Sequence, residues 1–116
     1  MDDLVSIANG SSHFKSLICC NGESRVSVSV FEVFEDRLEL HMIATDRAHQ
    51  KQGAARALII KMAQEFRGTP IVLDVAVDNA GAISFYRRLG LKETGRRKGF
   101  YSNGIDALTF QGTPTC

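Results

Sequence analysis

Hydrophobic and polar residues alternate through the first part of the chain and change period near its middle. Phe14 to Cys20 reads as a strand, Asn21-Gly22 as a tight turn, and Val26, Val28 and Val30, alternating with Ser27 and Ser29, as the returning strand. Asn-Gly between two such runs favours a two-residue hairpin, because both turn positions need positive φ. Glu35-Asp36 marks a second reversal before Leu38 to Ala44, where period-two spacing places Leu38, Leu40 and Met42 on one face. Three antiparallel strands are expected.

After Asp46 the period becomes helical. Ala55, Leu58, Ile59, Met62, Ala63 and Phe66 recur at spacings of three and four, which is one stripe of a helix, and Gly68-Thr69-Pro70 ends it. Ile71 to Val77 is almost unbroken apolar text, as expected of a strand covered on both faces and joined to its neighbour by a crossover helix. Asn79 suits an N-cap, Ala82, Phe85, Tyr86 and Leu89 mark the buried side of a second helix, and Gly90-Leu91 fits a left-handed C-terminal cap. Two closing strands, near Lys92 to Phe100 and Ile105 to Phe110, join through Ser102-Asn103-Gly104. The pattern describes one α+β (mixed α/β) domain over residues 1–116, with a short N-terminal segment at 1–12 and a loose tail at 112–116. At 116 residues the core is modest and no second domain fits.

Composition narrows the class. Hydrophobic residues make up 44% and charged residues 23%, which excludes a disordered chain. Met1-Asp2-Asp3-Leu4 lacks a basic leader and no apolar run reaches spanning length, so the expectation is a cytoplasmic protein with no membrane partner. Cys19 and Cys20 are adjacent and Cys116 is terminal, which is no disulfide framework, and without C-x-x-C or H-x-x-x-H spacing no metal site is expected. His13, His41 and His49 form no cluster along the chain. Charge is uneven. Residues 1–46 hold eight acids and three bases, residues 47–116 five acids and eleven bases. Arg87, Arg88, Lys92, Arg96, Arg97 and Lys98 crowd together, which fits a solvated surface or attraction of an anionic cofactor or acidic substrate. Near-neutral total charge without aromatic–basic interleaving speaks against nucleic acid.

Three places could carry chemistry. Gln50-Lys51-Gln52-Gly53-Ala54-Ala55 opens the first helix; alone, Q-x-x-G-x-A fits either a plain strand-to-helix turn or a cradle whose amides and helix dipole hold phosphate, hence a nucleotide-like cofactor. Asp74 is the single charge within Ile71 to Val77, where a carboxylate must be paired or functional, and desolvation would favour it as a proton acceptor. Glu39 likewise interrupts apolar text, facing solvent or the site. Tyr86 lies on the apolar stripe, as a core aromatic or as a phenol aimed at a departing thiolate.

Assembled, these pieces resemble the GNAT superfamily of acetyl-CoA-dependent N-acetyltransferases from about His13 to Phe110. The resemblance rests on Ile43-Ala44-Thr45-Asp46 leading into Gln50 to Leu58, on Asp78 to Leu91, and on Gly95 to Leu108. The last segment is most similar to the subgroup that acetylates ribosomal-protein alanine termini. The resemblance implies a central mixed sheet, antiparallel N-terminal strands, a strand-helix-strand acetyl-CoA core, a second helix and a C-terminal hairpin. It implies acetyl-CoA as cosubstrate, with Met42, Ile43 and Ala44 pairing with the pantetheine arm, Gln50, Lys51, Gln52, Gly53, Ala54, Ala55 and Arg56 at the pyrophosphate, and Asn79 at the arm. Tyr86 would protonate coenzyme A thiolate as it leaves. Asp74, or Glu39, would serve as general base.

Phe100 and Tyr101 stand at acceptor-binding positions, where Phe100 replaces a tyrosine and Gly99 an asparagine common in the subgroup, while Tyr101 matches. The family usually has a strand and two helices before the hairpin, whereas about twelve residues precede His13 here. That implies a minimal or shortened member, a homodimer in which a second copy supplies the acceptor wall, or a more open site. The function implied is direct acetyl transfer to a primary amine, on a protein or peptide N-terminus. A small-molecule acceptor such as a polyamine or aminoglycoside, and a non-catalytic acyl-CoA-binding module, are the alternatives.

Overall fold

The computed structural model describes residues 4–9, 14–21, 24–45 and 53–114. Strands β1 (Leu4–Asn9), β2 (Phe14–Asn21), β3 (Ser24–Val33) and β4 (Leu38–Thr45) form an antiparallel meander. Helix α1 (Ala54–Glu65) crosses to β5 (Ile71–Ala76), which lies parallel to β4. Helix α2 (Ala80–Arg88) leads to β6 (Lys92–Arg97), and β7 (Ala107–Gly112) closes the chain. The sheet has seven strands in the order β1-β2-β3-β4-β5-β7-β6, so β7 inserts between β5 and β6.

Residues paired across strands share a face. Phe31 opposite Leu40, Leu38 opposite Ile71, and Leu73 opposite Phe110 therefore define one face, and these six side chains are buried. Both helices cover that face. Leu58, Ile59 and Met62 of α1 are fully buried, Phe66 at its end packs edge-on against Phe31 at 5.8 Å, and Tyr86 of α2 lies 6.4 Å from Phe110. The stripe read from the sequence is the one buried, save that Ala54 rather than Ala55 is fully covered. The opposite face carries Phe14, Glu32, Glu39, Val72, Asp74 and Thr109, and no described helix covers it.

Local capping follows the sequence. The Asn79 side chain accepts a hydrogen bond from Ala82 N at 3.1 Å. Helix α2 stops at Gly90, whose φ of 94° a side chain would disfavour, with Gly90 N donating to Arg87 O and Leu91 N to Tyr86 O.

Four expectations are corrected. First, residues 4–9, read only as part of a short N-terminal segment before the first strand, form β1 in full register with β2; pairing supplies what a six-residue alternation cannot specify alone. Second, Met42 does not share a face with Leu38 and Leu40. Val30 pairs with Met42 but Phe31 with Leu40, so His41 is an extra residue, a β-bulge that reverses the alternation after it. Met42 is consequently 46% exposed, while Ile43 packs against the core. Third, the closing strands are displaced: β6 ends at Arg97 because Gly99 turns with φ 58° and its N–H donates to Asp106 Oδ1 at 2.8 Å. Fourth, β7 runs on through Gly112, paired with Ile71, and Pro114 beyond it is buried.

Phe110→Ala is expected to destabilise the fold by about 3–5 kcal/mol, since it empties a fully buried aromatic site. Phe100→Ala, at a 47% exposed position, should stay within about 0.5 kcal/mol. Urea midpoints at unchanged slope measure both.

Candidate functional site

Strands β4 and β5 pair only from Leu38–Ile71 to Leu40–Leu73 and then part. Parting begins at the His41 bulge, and bulged strands bend. Each strand is held along its outer edge: β4 stays paired with β3 to Thr45, and β5 pairs with β7 over its whole length. A cleft of about 440 Å³ opens between them, with Met42, Asp74, Asn79, Tyr86 and Tyr101 in its lining. The facing backbone edges of β4 and β5 beyond Leu40 and Leu73 have no partner in each other, so an extended polar chain entering there finds ready hydrogen-bond groups.

A second cavity of about 510 Å³ adjoins it between the helices, lined by Ile43, Thr45, Gly53, Ala55, Arg56 and Phe85 among others. Gly53 caps α1 in the left-handed conformation, φ 82° and ψ 6°, and no side chain among the described residues caps the helix. Helical bonding starts with Ala57 N donating to Gly53 O, so the N–H groups of Ala54, Ala55 and Arg56 have no helical acceptor. Small side chains, amides without a helical acceptor and the positive helix end next to Arg56 suit a phosphate. Gln50, Lys51 and Gln52 lie outside the described residues. Ala44, the third residue assigned to the arm, is exposed on β4, and its carbonyl accepts from Ser27 Oγ at 2.9 Å.

Tyr86 is 7% exposed, packed edge-on against Phe85 at 5.2 Å. Burial, with a lesser contribution from Tyr101, pushes its phenol up to about 12, so it keeps its proton at neutral pH. Tyr101 is raised as well, by desolvation and then by the Asp74 charge. Tyr101 is set by Ile105 O, which accepts its N–H at 3.1 Å, and by the Phe100 ring at 5.1 Å. Phe100 itself is exposed and does not line the cleft.

Asp74 is well paired, as its place in apolar text requires. Thr109, directly opposite on β7, donates to Oδ1 at 2.6 Å, and Arg97 Nε lies 3.4 Å from the same oxygen. Glu39 sits elsewhere: it accepts from Arg37 Nε at 2.8 Å and is not in the cleft lining. Glu39 instead joins Glu32 and His41, ligand atoms within 4.8 Å of one another, with His41 Nε2 3.1 Å from Glu32 and its ring against Phe14. The histidine that stood alone along the chain therefore belongs to a polar group on the open face. Arg37 already supplies that group with a positive charge.

Thr109 and Arg97, which the sequence did not single out, are the residues that contact Asp74. Arg97 was one of a run of bases, and only the insertion of β7 beside β5 brings both to Asp74.

Comparison with known proteins gives the family and the fold. The model of the acetyltransferase (GNAT) family matches residues 11–91, and the chain belongs to that family. It is 35% identical over 74 residues to N-alpha-acetyltransferase RimI of Mycobacterium tuberculosis, covering 63% of this chain and 47% of that protein. Against the [ribosomal protein bS18]-alanine N-acetyltransferase of Escherichia coli it is 36% identical over 76 residues, 63% of this chain and 51% of the relative. The chain thus spans about half the length of these curated relatives. The crystal structure of the Escherichia coli ribosomal-protein-S18-alanine N-acetyltransferase superposes with a TM-score of 0.81 at 26% identity, over 92% of this chain and 73% of that one. A GNAT family acetyltransferase from Elizabethkingia anophelis with acetyl-CoA bound gives 0.83 at 13% identity, over 97% and 98%, a likeness of fold.

The loop between β6 and β7 hangs on Asp106, which accepts from Gly99 N and from Arg96 Nε, both at 2.8 Å. These bonds hold its carboxyl below the ordinary value of 3.8. A lowered folded-state pKa contributes stability that is present above the ordinary value and drains away as pH falls through the folded one. Asp106→Asn is therefore expected to melt below the wild type at pH 6, with the gap in Tm shrinking as pH falls below about 4. Thermal melts across pH measure it.

Proposed function

We propose that this chain is an acetyl-CoA-dependent N-acetyltransferase that moves an acetyl group directly to a primary amine, on a protein or peptide N-terminus. The observation that carries this reading is the divergence of β4 from β5 beside an uncapped helix start, with the buried phenol of Tyr86 at the junction. The Escherichia coli relative, by its name, acts on an alanine of ribosomal protein bS18, which supports the choice of acceptor.

In this reading the amides of Ala54 to Arg56 hold the pyrophosphate of the cosubstrate, and the free β4 edge at Met42 to Ala44, with Asn79, orients its arm. Positioning of this kind supplies most of the acceleration, because both reactants are held in line before bonds change. Asp74, through a water, takes the proton of the attacking ammonium; its position in the cleft favours it over Glu39, which Arg37 holds outside. Tyr86 gives its proton to the departing thiolate; burial keeps the phenol protonated until that step. The protein is read as cytoplasmic, with Cys19 and Cys20 as thiols. It is also read as a homodimer whose second copy covers the sheet face bearing the 40% exposed Phe14; a monomeric mass in light scattering removes the dimer.

Tyr86→Phe is expected to lower kcat on the order of tenfold to a thousandfold while acetyl-CoA still binds. Release of coenzyme A thiol over a panel of N-terminal peptides, alongside calorimetry with acetyl-CoA, tests the reading. Full turnover by the variant removes Tyr86 as the acid, and binding without release from any amine leaves only an acyl-CoA-binding module.

A further inference from the structure

Beside the cleft, outside its lining but in contact with the lining residue Asp74, stands the guanidinium of Arg97. Arg97, the last residue of β6, stands opposite Ala107, which stands opposite Ala76 of β5. These two small residues leave room for the arginine to reach across the sheet toward Asp74, two positions along β5. The contact it makes there, 3.4 Å from Nε to Oδ1, is long beside the about 2.7–2.9 Å of a charge-assisted hydrogen bond. Thr109 already serves that oxygen at 2.6 Å. Arg97 is steadied on its other contact by Phe100, whose ring centre lies 5.4 Å from the guanidinium. Its neighbour Arg96 donates to Asp106 at 2.8 Å; Arg97 donates a hydrogen bond to no described residue and is 57% exposed.

An oriented, unbonded guanidinium fork matches a carboxylate in two parallel bonds. Asp74 Oδ2, which accepts from no described residue, lies beside it and attracts an ammonium. Asp74 and Arg97 together carry no net charge, so the pair does not select by charge alone but by a separated plus and minus. We propose that the acceptor is a primary amine with a carboxylate close to it, the ammonium drawn to Asp74 and the carboxylate to Arg97. A polyamine, with a second positive charge in place of the carboxylate, meets repulsion from Arg97. This deepens the acetyl-transfer reading and rests on it. The carboxylate comes either from a free α-amino acid or from an acidic side chain beside a peptide N-terminus.

Thiol release with the full chain and acetyl-CoA separates the two sources. Alanine is compared with alaninamide, and a peptide amide beginning Ala-Glu with one beginning Ala-Gln. The carboxylate member of one pair is expected to show kcat/KM about tenfold to a hundredfold higher, the size of a charge-assisted interaction. Preference in the first pair identifies a free amino acid, preference in the second an acidic peptide. Arg97→Gln is expected to bring the ratio close to one, chiefly through KM, whereas Lys98→Gln, which removes a neighbouring exposed charge, keeps it. A ratio near one in the wild type, or one that survives Arg97→Gln, overturns the proposal and leaves acetyl transfer standing. If acetyl-CoA binds but no amine turns over, acetyl transfer fails by itself. The Nε resonance of Arg97, assigned by Arg97→Lys and titrated with alanine, alaninamide and the two peptide amides, then decides: movement with only the carboxylate member of a pair supports the proposal, and no such movement in either pair overturns it.

Discussion

One extra residue in β4 organises the molecule. If β4 and β5 continued the register that joins Leu38 to Ile71 and Leu40 to Leu73, His41 would face Asp74 and the sheet would close. The bulge at His41 bends β4 away at that point and reverses which side chains point inward. It exposes Met42, packs the partly buried Ile43 against the core, and leaves two strand edges looking at each other across a cleft. Unpaired backbone is costly in a dry interior but useful where a ligand supplies the missing partners. The cleft is therefore a consequence of strand geometry, and side chains only tune it.

What keeps the strands apart is pairing on their outer sides. Six register pairs tie β5 to β7, and β4 follows β3 to its end, where Ser27 bonds Ala44 O and Thr45 Oγ1. Helix α2 is fastened to the same frame. Its cap puts Leu91 beside Gly112 at the end of β7, so tightly that a Cβ on Gly112 would lie 3.2 Å from Leu91 Cδ2. Tyr86, on the turn before that cap, contacts Phe110 two residues from Gly112 in β7. The phenol is thus positioned by the core itself, which suits a group meant to meet a reacting atom at one place.

Much of this was legible along the chain because it is local. The helix stripes, the Asn79 cap, the Gly90 stop and the glycine at the start of α1 each depend on a few neighbouring residues, and each stands where the spacing places it. The bulge was not legible, since alternation continues to read smoothly through Leu40, His41 and Met42 whichever way the strand bends. Strand β1 was hidden for a related reason: six residues of weak alternation become a strand through register with β2. Strand order hid the rest. Thr109 and Asp74 are 35 residues apart, and nothing short of the sheet topology makes them neighbours.

That topology also sorts the two proton transfers of the proposed reaction. Asp74 shares the open face of the sheet with Thr109 and Arg97, while Tyr86 approaches from the helix-covered face, and the cleft joins them. An acceptor arriving from the open side would lose its proton there, and a thiolate leaving toward the helices would gain one from Tyr86. Separate groups on separate sides need no single residue to titrate twice within a turnover. The two groups sit in unlike surroundings: Asp74 accepts from the Thr109 hydroxyl with Arg97 nearby on one side, and the Tyr86 phenol is kept neutral by burial on the other. In the proposed reaction the sheet would stand between acid and base, and the bulge at His41 would open the passage through it.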